Sequence, residues 1–292
     1  MKDCHVHTNL SHDGISSIAE YIAYAPSLGV DEITFTEHFD DYTDLKTKLY
    51  PVNLAEYYNQ YLQNQNDNIV KINFGMEIGL QPHIVDFINH LASQYPFDFI
   101  IGSSHITCKK DVGSDPSFFD GYSRKENYLR YFNEVLKNIL LHNQFDVYGH
   151  LDYVVRYGSY AETKIEYKEF QEILDEILIS LIKKDKGIEV NTSGFRYGLG
   201  NPHPNFDILK RYKDLGGKII TLGSDAHKAQ DLCSHFNEIL DILEQIGYTE
   251  MAVYHHRIPD FIKMAEEGTK MTWITGYDYL TAKYEERGLL LI

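Results

Sequence analysis

Cysteine is scarce in this chain: Cys4, Cys108 and Cys233 are the only three among 292 residues. An odd number of widely separated thiols argues against a disulfide framework and fits buried thiols in a reducing compartment. Positive charge is in short supply as well. Lys and Arg number 27 against 43 Asp and Glu, a formal charge of −16, and no Lys/Arg cluster with interleaved aromatics offsets that excess. Such a surface repels phosphate polymers, so no nucleic acid partner is expected, whereas a small anion held in a buried site remains compatible. No run approaches the roughly 18 apolar residues of a membrane-spanning helix. The chain also enters its first strand without the basic and apolar regions of a secretory signal. The expectation is a soluble, cytoplasmic protein with no membrane partner. Internal repeats and low-complexity tracts are absent too.

What the chain does have is 43% hydrophobic residues. That suffices for one large α/β domain or two small ones, and no linker divides it. Strand-like and amphipathic segments alternate, the pattern of a parallel α/β fold. After a first strand carrying His5 and His7, strands are predicted over 32–37, 70–78, 97–105, 145–150, 187–193 and 218–222. Helices are predicted over 15–28, 53–65, 82–94, 123–142, 167–184, 205–215 and 229–246.

The chemistry-bearing residues recur at the ends of these strands. Side chains alternate along a strand, so His5 and His7 share one face while Cys4 and Val6 take the other, and Asp13 follows in the turn. A His-x-His pair alone fits a metal site or a half-buried, hydrogen-bonded strand, and Asp13-Gly14 alone is also an ordinary turn. The signal then repeats. His38, His105 and His150 each end a strand, and Asp225 and His227 repeat the alternate spacing after the last one. Glu77 is an acid in an apolar strand, where a buried carboxylate needs a metal or an ion-pair partner. Parallel strands closed into a barrel bring all their C-terminal ends to one face. Nine donors converging there exceed the needs of one ion and imply two or three. Imidazole and carboxylate without thiolate favour Zn, Mn or Fe.

At this point the chain resembles the polymerase-and-histidinol-phosphatase (PHP) family, in its histidinol-phosphatase branch. The motifs are His5-Val6-His7-Thr8 with Ser11-His12-Asp13-Gly14, Thr36-Glu37-His38, Gly75-Met76-Glu77, Gly102-Ser103-Ser104-His105, Gly149-His150 and Gly223-Ser224-Asp225-Ala226-His227. The branch is also matched by Gly79-Leu80-Gln81-Pro82-His83, by Gly149-His150-Leu151-Asp152 followed by Arg156, and by Asn191-Thr192-Ser193-Gly194-Phe195-Arg196. The resemblance implies a distorted, TIM-barrel-like (β/α)7 barrel over residues 1–260, with the metal site at the C-terminal ends of its strands. Residues 261–292, with the chain's only Trp, Trp273, match no pattern. They are expected as an extension packed on the same domain or at a subunit interface, so a homo-oligomer is possible.

The resemblance further implies three divalent metal ions (Zn, Mn and/or Fe). His5, His7, Glu77 and Asp225 would hold one; Glu77, His105 and His150 a second, with Glu77 bridging; Asp13, His38 and His227 a third. The substrate would be a small phosphate monoester, L-histidinol phosphate, cleaved to L-histidinol and phosphate in histidine biosynthesis. Arg156 and Arg196 are the expected phosphate clamps, because guanidinium is a permanently charged donor fork suited to phosphate. Together with Asp225 and His227 they form the expected catalytic set. His83 is a candidate substrate contact, equally readable as a surface residue at a helix start. Asp40, Asp41 and Asp44 suit the substrate's ammonium group or simply form a solvated acidic loop. Neither an aspartyl-phosphatase motif nor a Cys-x5-Arg signature is present, so no covalent phosphoenzyme is expected. The alternatives are a PHP-type phosphoesterase acting on nucleotides or other small esters, an amidohydrolase, and a metal-binding protein without turnover. An amidohydrolase commonly bridges its metals with a carboxylated Lys, where this chain offers Glu77.

Overall fold

The first strand, β1 (Lys2–Val6), pairs in parallel with β2 (Glu32–Phe39), and each later strand adds to the one before it. These are β3 (Lys71–Gly79), β4 (Phe99–Ser103), β5 (Val147–Tyr148), β6 (Gly187–Asn191) and β7 (Ile220–Gly223). They belong to a computed structural model that describes residues 1–42, 51–66, 69–158 and 160–264. Beyond β7 the seven-stranded sheet returns to β1, where Asp225 N–H donates to His5 O at 2.8 Å and His7 N–H to Ala226 O at 2.9 Å. The fold is the expected distorted (β/α)7 barrel, and its strand C-termini form one rim.

Around it lie α1 (Ile18–Tyr24), α2 (Leu54–Asn64), α3 (Val85–Gln94), α4 (Arg124–Leu141), α5 (Gln171–Lys183), α6 (Phe206–Asp214) and α7 (Phe236–Ile246). Ser17 and Ser123 open α1 and α4 with reciprocal caps to Glu20 and Glu126. Asn53 and Asn205 cap α2 and α6, each cap stabilising its helix by about 1 kcal/mol. On α5 the buried Leu174, Ile177, Leu178 and Leu181 form a stripe at i, i+3, i+4, i+7. Each such side chain contributes roughly 1.5–3 kcal/mol by leaving water.

Three local features differ from expectation. The first helix begins at its Ser17 cap, and Pro26, which lacks an N–H, tightens the end into the 3-10 segment Ala25–Leu28, closed by Gly29 at φ 68°. The helix predicted over 229–246 starts only at Phe236. Cys233 and His235 before it adopt left-handed φ of 52° and 62°, and Asp3 Oδ2 draws the Cys233 N–H to 2.9 Å. Finally, β1 is bulged between Asp3 and Val6. The extra residue places Cys4 in a cluster with Phe99, Ile101 and Val147 inside the barrel, where simple alternation set it opposite His5; Val6 packs in the outer core as expected.

An antiparallel hairpin that the periodicity did not announce, β8 (Glu250–His255) with β9 (Ile258–Lys263), covers the N-terminal rim. Tyr254 stacks on Phe99 with ring centroids 5.0 Å apart, while Ala252 and Val253 join the Cys4 cluster. The boundary expected after residue 260 falls inside β9. The rest of the anticipated extension, 265–292 with Trp273, lies outside the described residues, as does Asp44. Among the described residues no helix is long and apolar enough to cross a membrane.

Candidate metal centre

Strand geometry places each donor. His5 sits in β1, His38 near the end of β2, Glu77 in β3, and His105 and His150 just beyond β4 and β5. Asp225 and His227 follow β7, and Asp13 lies in the loop after β1. Two glycines make room for acids in this array. A Cβ on Gly223 would stand 2.3 Å from Glu189 Oε1 and 2.6 Å from His5 Cβ, and one on Gly79 would stand 1.8 Å from Asp40 Oδ1. Asp225 itself takes a left-handed φ of 54°, a conformation that costs of order 1–3 kcal/mol unless the surroundings impose it.

The nine donors meet at the C-terminal rim. His5 Nε2 and His7 Nε2 are 2.9 Å apart. Glu77 Oε2 lies 3.3 and 3.4 Å from them, and Asp225 Oδ1 3.7 and 3.5 Å. Beside this group, Glu77 Oε1 is 3.3 Å from His105 Nε2 and 2.8 Å from His150 Nε2, and those two nitrogens are 3.4 Å apart. A third group joins Asp13 Oδ2 to His227 Nε2 at 3.2 Å and to His38 Nε2 at 3.7 Å. His38 also faces the first group, with Nδ1 3.0 Å from Glu77 Oε2. Ligands about 2.1 Å from a tetrahedral cation are about 3.4 Å from one another, so these spacings fit around divalent ions. Glu77 Oε2, buried and without a hydrogen bond, points to the same chemistry.

The imidazoles are oriented from behind. His5 Nδ1 contacts Glu189 Oε1 at 2.5 Å, His105 Nδ1 contacts Asp40 Oδ1 at 2.9 Å, and His227 Nδ1 contacts the Asp225 backbone oxygen at 3.0 Å. These partners only accept, so Nδ1 carries a hydrogen and Nε2 is the nitrogen turned toward the centre, the one that would ligate an ion. Glu37, fully buried, accepts from Thr8 N–H, Thr8 Oγ and Ser11 Oγ and so shapes the loop that carries Asp13.

Burial opposes ionisation of Glu77 and Asp225, but the surrounding imidazoles hold both carboxyls well below their usual range; Arg156 adds to this at Asp225. Asp13 is lowered against burial by His227 and His38. His38 is pushed up to about 9, its burial outweighed by Glu77 and Asp13. His7 and His150 are instead lowered, chiefly by burial. The same carboxylates push His5 and His105 well above the ordinary imidazole value, so acids and imidazoles share protons that a metal ion would displace, the donor chemistry of a cation site.

A cavity of about 190 Å³ opens over the centre. Arg156 lines it, together with Asp111, Tyr153 and Tyr197. Its Nη2 donates to Ser193 Oγ at 2.5 Å and to Asp225 Oδ2 at 3.2 Å. Arg196 is not among the lining residues. It donates from Nη2 to the Asp225 backbone oxygen at 2.7 Å, and its Nη1 is buried without a partner. His83 is not brought to the cavity: its side chain is 55% exposed and pairs with Asp41 at 3.5 Å. Asp40, weighed as an amine partner, lines the cavity and also holds His105 through its Oδ1. Sequence reasoning missed Glu189, although an acid within the apolar Gly187–Asn191 strand is the same signal that marked Glu77. His203 was passed over as well, since it ends no predicted strand.

Fold and site together define a metal-dependent hydrolase built on a parallel barrel. Residues 3–193 match the PHP domain. The chain is 32% identical over 257 residues to the histidinol-phosphatase of Lactococcus lactis, covering 86% of this chain and 93% of that protein. It is similar in structure to the Lactococcus lactis histidinol phosphate phosphatase complexed with zinc, L-histidinol and phosphate. The TM-score is 0.82 at 31% identity, covering 89% of this chain and 98% of that one. A second solved structure, from Listeria monocytogenes, shares the fold with a TM-score of 0.70 at 19% identity, covering 82% and 99%. The chain belongs to the PHP family.

Proposed function

We propose that the chain hydrolyses L-histidinol phosphate to L-histidinol and phosphate. One cavity joins a cluster of ionised acids and aimed imidazoles to the permanently charged fork of Arg156, and that conjunction carries the reading. The Lactococcus lactis structure with zinc, L-histidinol and phosphate supports it. The donor spacings support the three groupings His5/His7/Glu77/Asp225, Glu77/His105/His150 and Asp13/His38/His227, and so three divalent ions drawn from Zn, Mn and Fe. Bound there, such ions supply Lewis acidity and a nucleophile from water at neutral pH.

The chain's own residues do the rest. Glu189 and Asp40 hold His5 and His105 in the tautomer that faces the ions. Arg156 directs donors at the phosphoryl oxygens as negative charge gathers on them, and the partnerless Nη1 of Arg196 supports a second clamp. Asp111, in the same lining, gives the cavity an acid that suits a cationic amine. Phosphate release from L-histidinol phosphate, measured beside a panel of nucleoside monophosphates, tests the reading. The expected result is a preference of about 100-fold or more for histidinol phosphate, set by polar groups that a nucleotide leaves unpaired. A preference for nucleotides contradicts it.

A further inference from the structure

We infer that His203, backed by Asp152, is a positioning residue that aims the Arg156 guanidinium at the phosphoryl group. The inference rests on the reading of Arg156 as a phosphate clamp. His203 is fully buried and contributes nothing to the metal groupings. Its Nε2 lies 3.0 Å from Arg156 Nε, and its Nδ1 lies 2.5 Å from Asp152 Oδ1. Arginine can only donate, so Nε2 bears the lone pair and the hydrogen sits on Nδ1, shared with Asp152. Burial keeps this imidazole's pKa below its ordinary value, with Arg156 opposing the pull of Asp152, which maintains the neutral form that can accept.

The assembly is anchored at every step. Asp152 Oδ2 accepts the Asn205 N–H at 3.1 Å. The His203 backbone exchanges two hydrogen bonds of 2.8 Å with Asn191 at the end of β6. On the arginine, Nη2 is committed to Ser193 and Asp225, and the rings of Tyr153 and Tyr197 lie 4.9 and 4.5 Å from the guanidinium carbon. Among the described residues Nη1 makes no hydrogen bond, and Arg156 lines the cavity. His203 thus fixes the Nε–H, which Asp225 and Ser193 do not reach, and leaves Nη1 for the substrate. Without it the Nε–H is left unpaired and the fork is free to turn.

Two half-mimics of histidine separate this role from a structural one. His203→Gln places an oxygen where Nε2 stands and keeps the acceptor for Arg156. His203→Asn reaches only the Asp152 side. With bound metal counted in each variant, H203N is expected to raise KM for histidinol phosphate and the inhibition constant of inorganic phosphate about ten-fold, with lower kcat and unchanged metal content. H203Q is expected to stay within about three-fold of the parent. Asp152→Asn, which leaves the acceptor in place but loosens its support, shifts KM the same way by a smaller factor. The double variant R156A/H203N is expected to be no worse than R156A, because the two residues act as one unit. Equal losses in H203Q and H203N, losses that multiply in the double variant, or losses that track metal content overturn the inference. If R156A changes neither KM nor phosphate inhibition, the clamp reading itself fails, and the role of His203 with it.

Discussion

At the N-terminal rim of the barrel, buried acids meet donors supplied by the chain. Glu32 pairs with Lys2 at 3.0 Å, Lys71 at 3.1 Å and His255 at 2.6 Å. Asp98 accepts backbone N–H groups from Phe74 and His256, and Asp146 accepts the Ile100 N–H and the Arg257 guanidinium. At the C-terminal rim Glu77 and Asp225 are as deeply buried, and Ser103 and Arg156 give each of them a donor, yet most of the nitrogens that face them at 2.8–3.7 Å belong to imidazoles, those of His5, His7, His38, His105, His150 and His227. For His5 and His105 the hydrogen is committed elsewhere. Their second nitrogen can meet a carboxylate only through a shared cation, either an exchangeable proton or a metal ion. The number of acids therefore does not mark the site, since both rims have them. What distinguishes them is the supply of hydrogens, which is complete at one rim and short at the other.

Substitutions at the two rims sharpen this contrast. The largest effect is expected from Glu77→Gln, which removes the one charge shared between the first two groups. Bound metal falls by at least one ion, and kcat/KM drops on the order of 10³-fold; metal analysis alongside steady-state kinetics checks it. Glu189→Gln keeps the shape but weakens the grip on His5. It is expected to cost roughly 10–100-fold in metal affinity or activity, read by competition with a chelator. Arg257→Ala, at the opposite rim, leaves Asp146 short of a donor and lowers stability by about 1–3 kcal/mol, while kcat and metal content hold.

The smallest effect concerns acid sensitivity. Burial raises the Glu32 carboxyl, but Asn73, His255 and Lys2 bring it down to about 2. A lowered folded pKa means that its contribution is complete above the ordinary 4.5 and is lost as pH falls through about 2. Thermal denaturation of Glu32→Gln across that window is expected to fall less steeply than that of the parent. An identical slope removes Glu32 from the account of the N-terminal rim.

Much of the barrel was legible because strand alternation and strand ends are local signals. His38, His105 and His150 each close an apolar run, so their common rim followed from parallel topology alone. The remainder depended on non-local geometry. One bulge turned Cys4 inward, and no period-two pattern announces a bulge. The β8–β9 hairpin closes the base through Tyr254 on Phe99, a contact spanning 155 residues of chain that no local pattern encodes. His203 looked incidental because its partners, Asp152 and Arg156, lie about 50 residues upstream. His83 looked usable because a family motif included it, yet the helix start that carries it turns toward Asp41 and solvent. Chemistry at strand ends can be read from one dimension, whereas support behind a site generally cannot.

Anomalous diffraction from crystals of the active protein, recorded at the Zn, Fe and Mn edges, tests the shared-cation claim most directly. The account predicts three peaks: one among His5, His7, Glu77 and Asp225, one among Glu77, His105 and His150, and one among Asp13, His38 and His227. Fully active protein whose C-terminal rim shows no anomalous peak, with turnover indifferent to chelators, would contradict it.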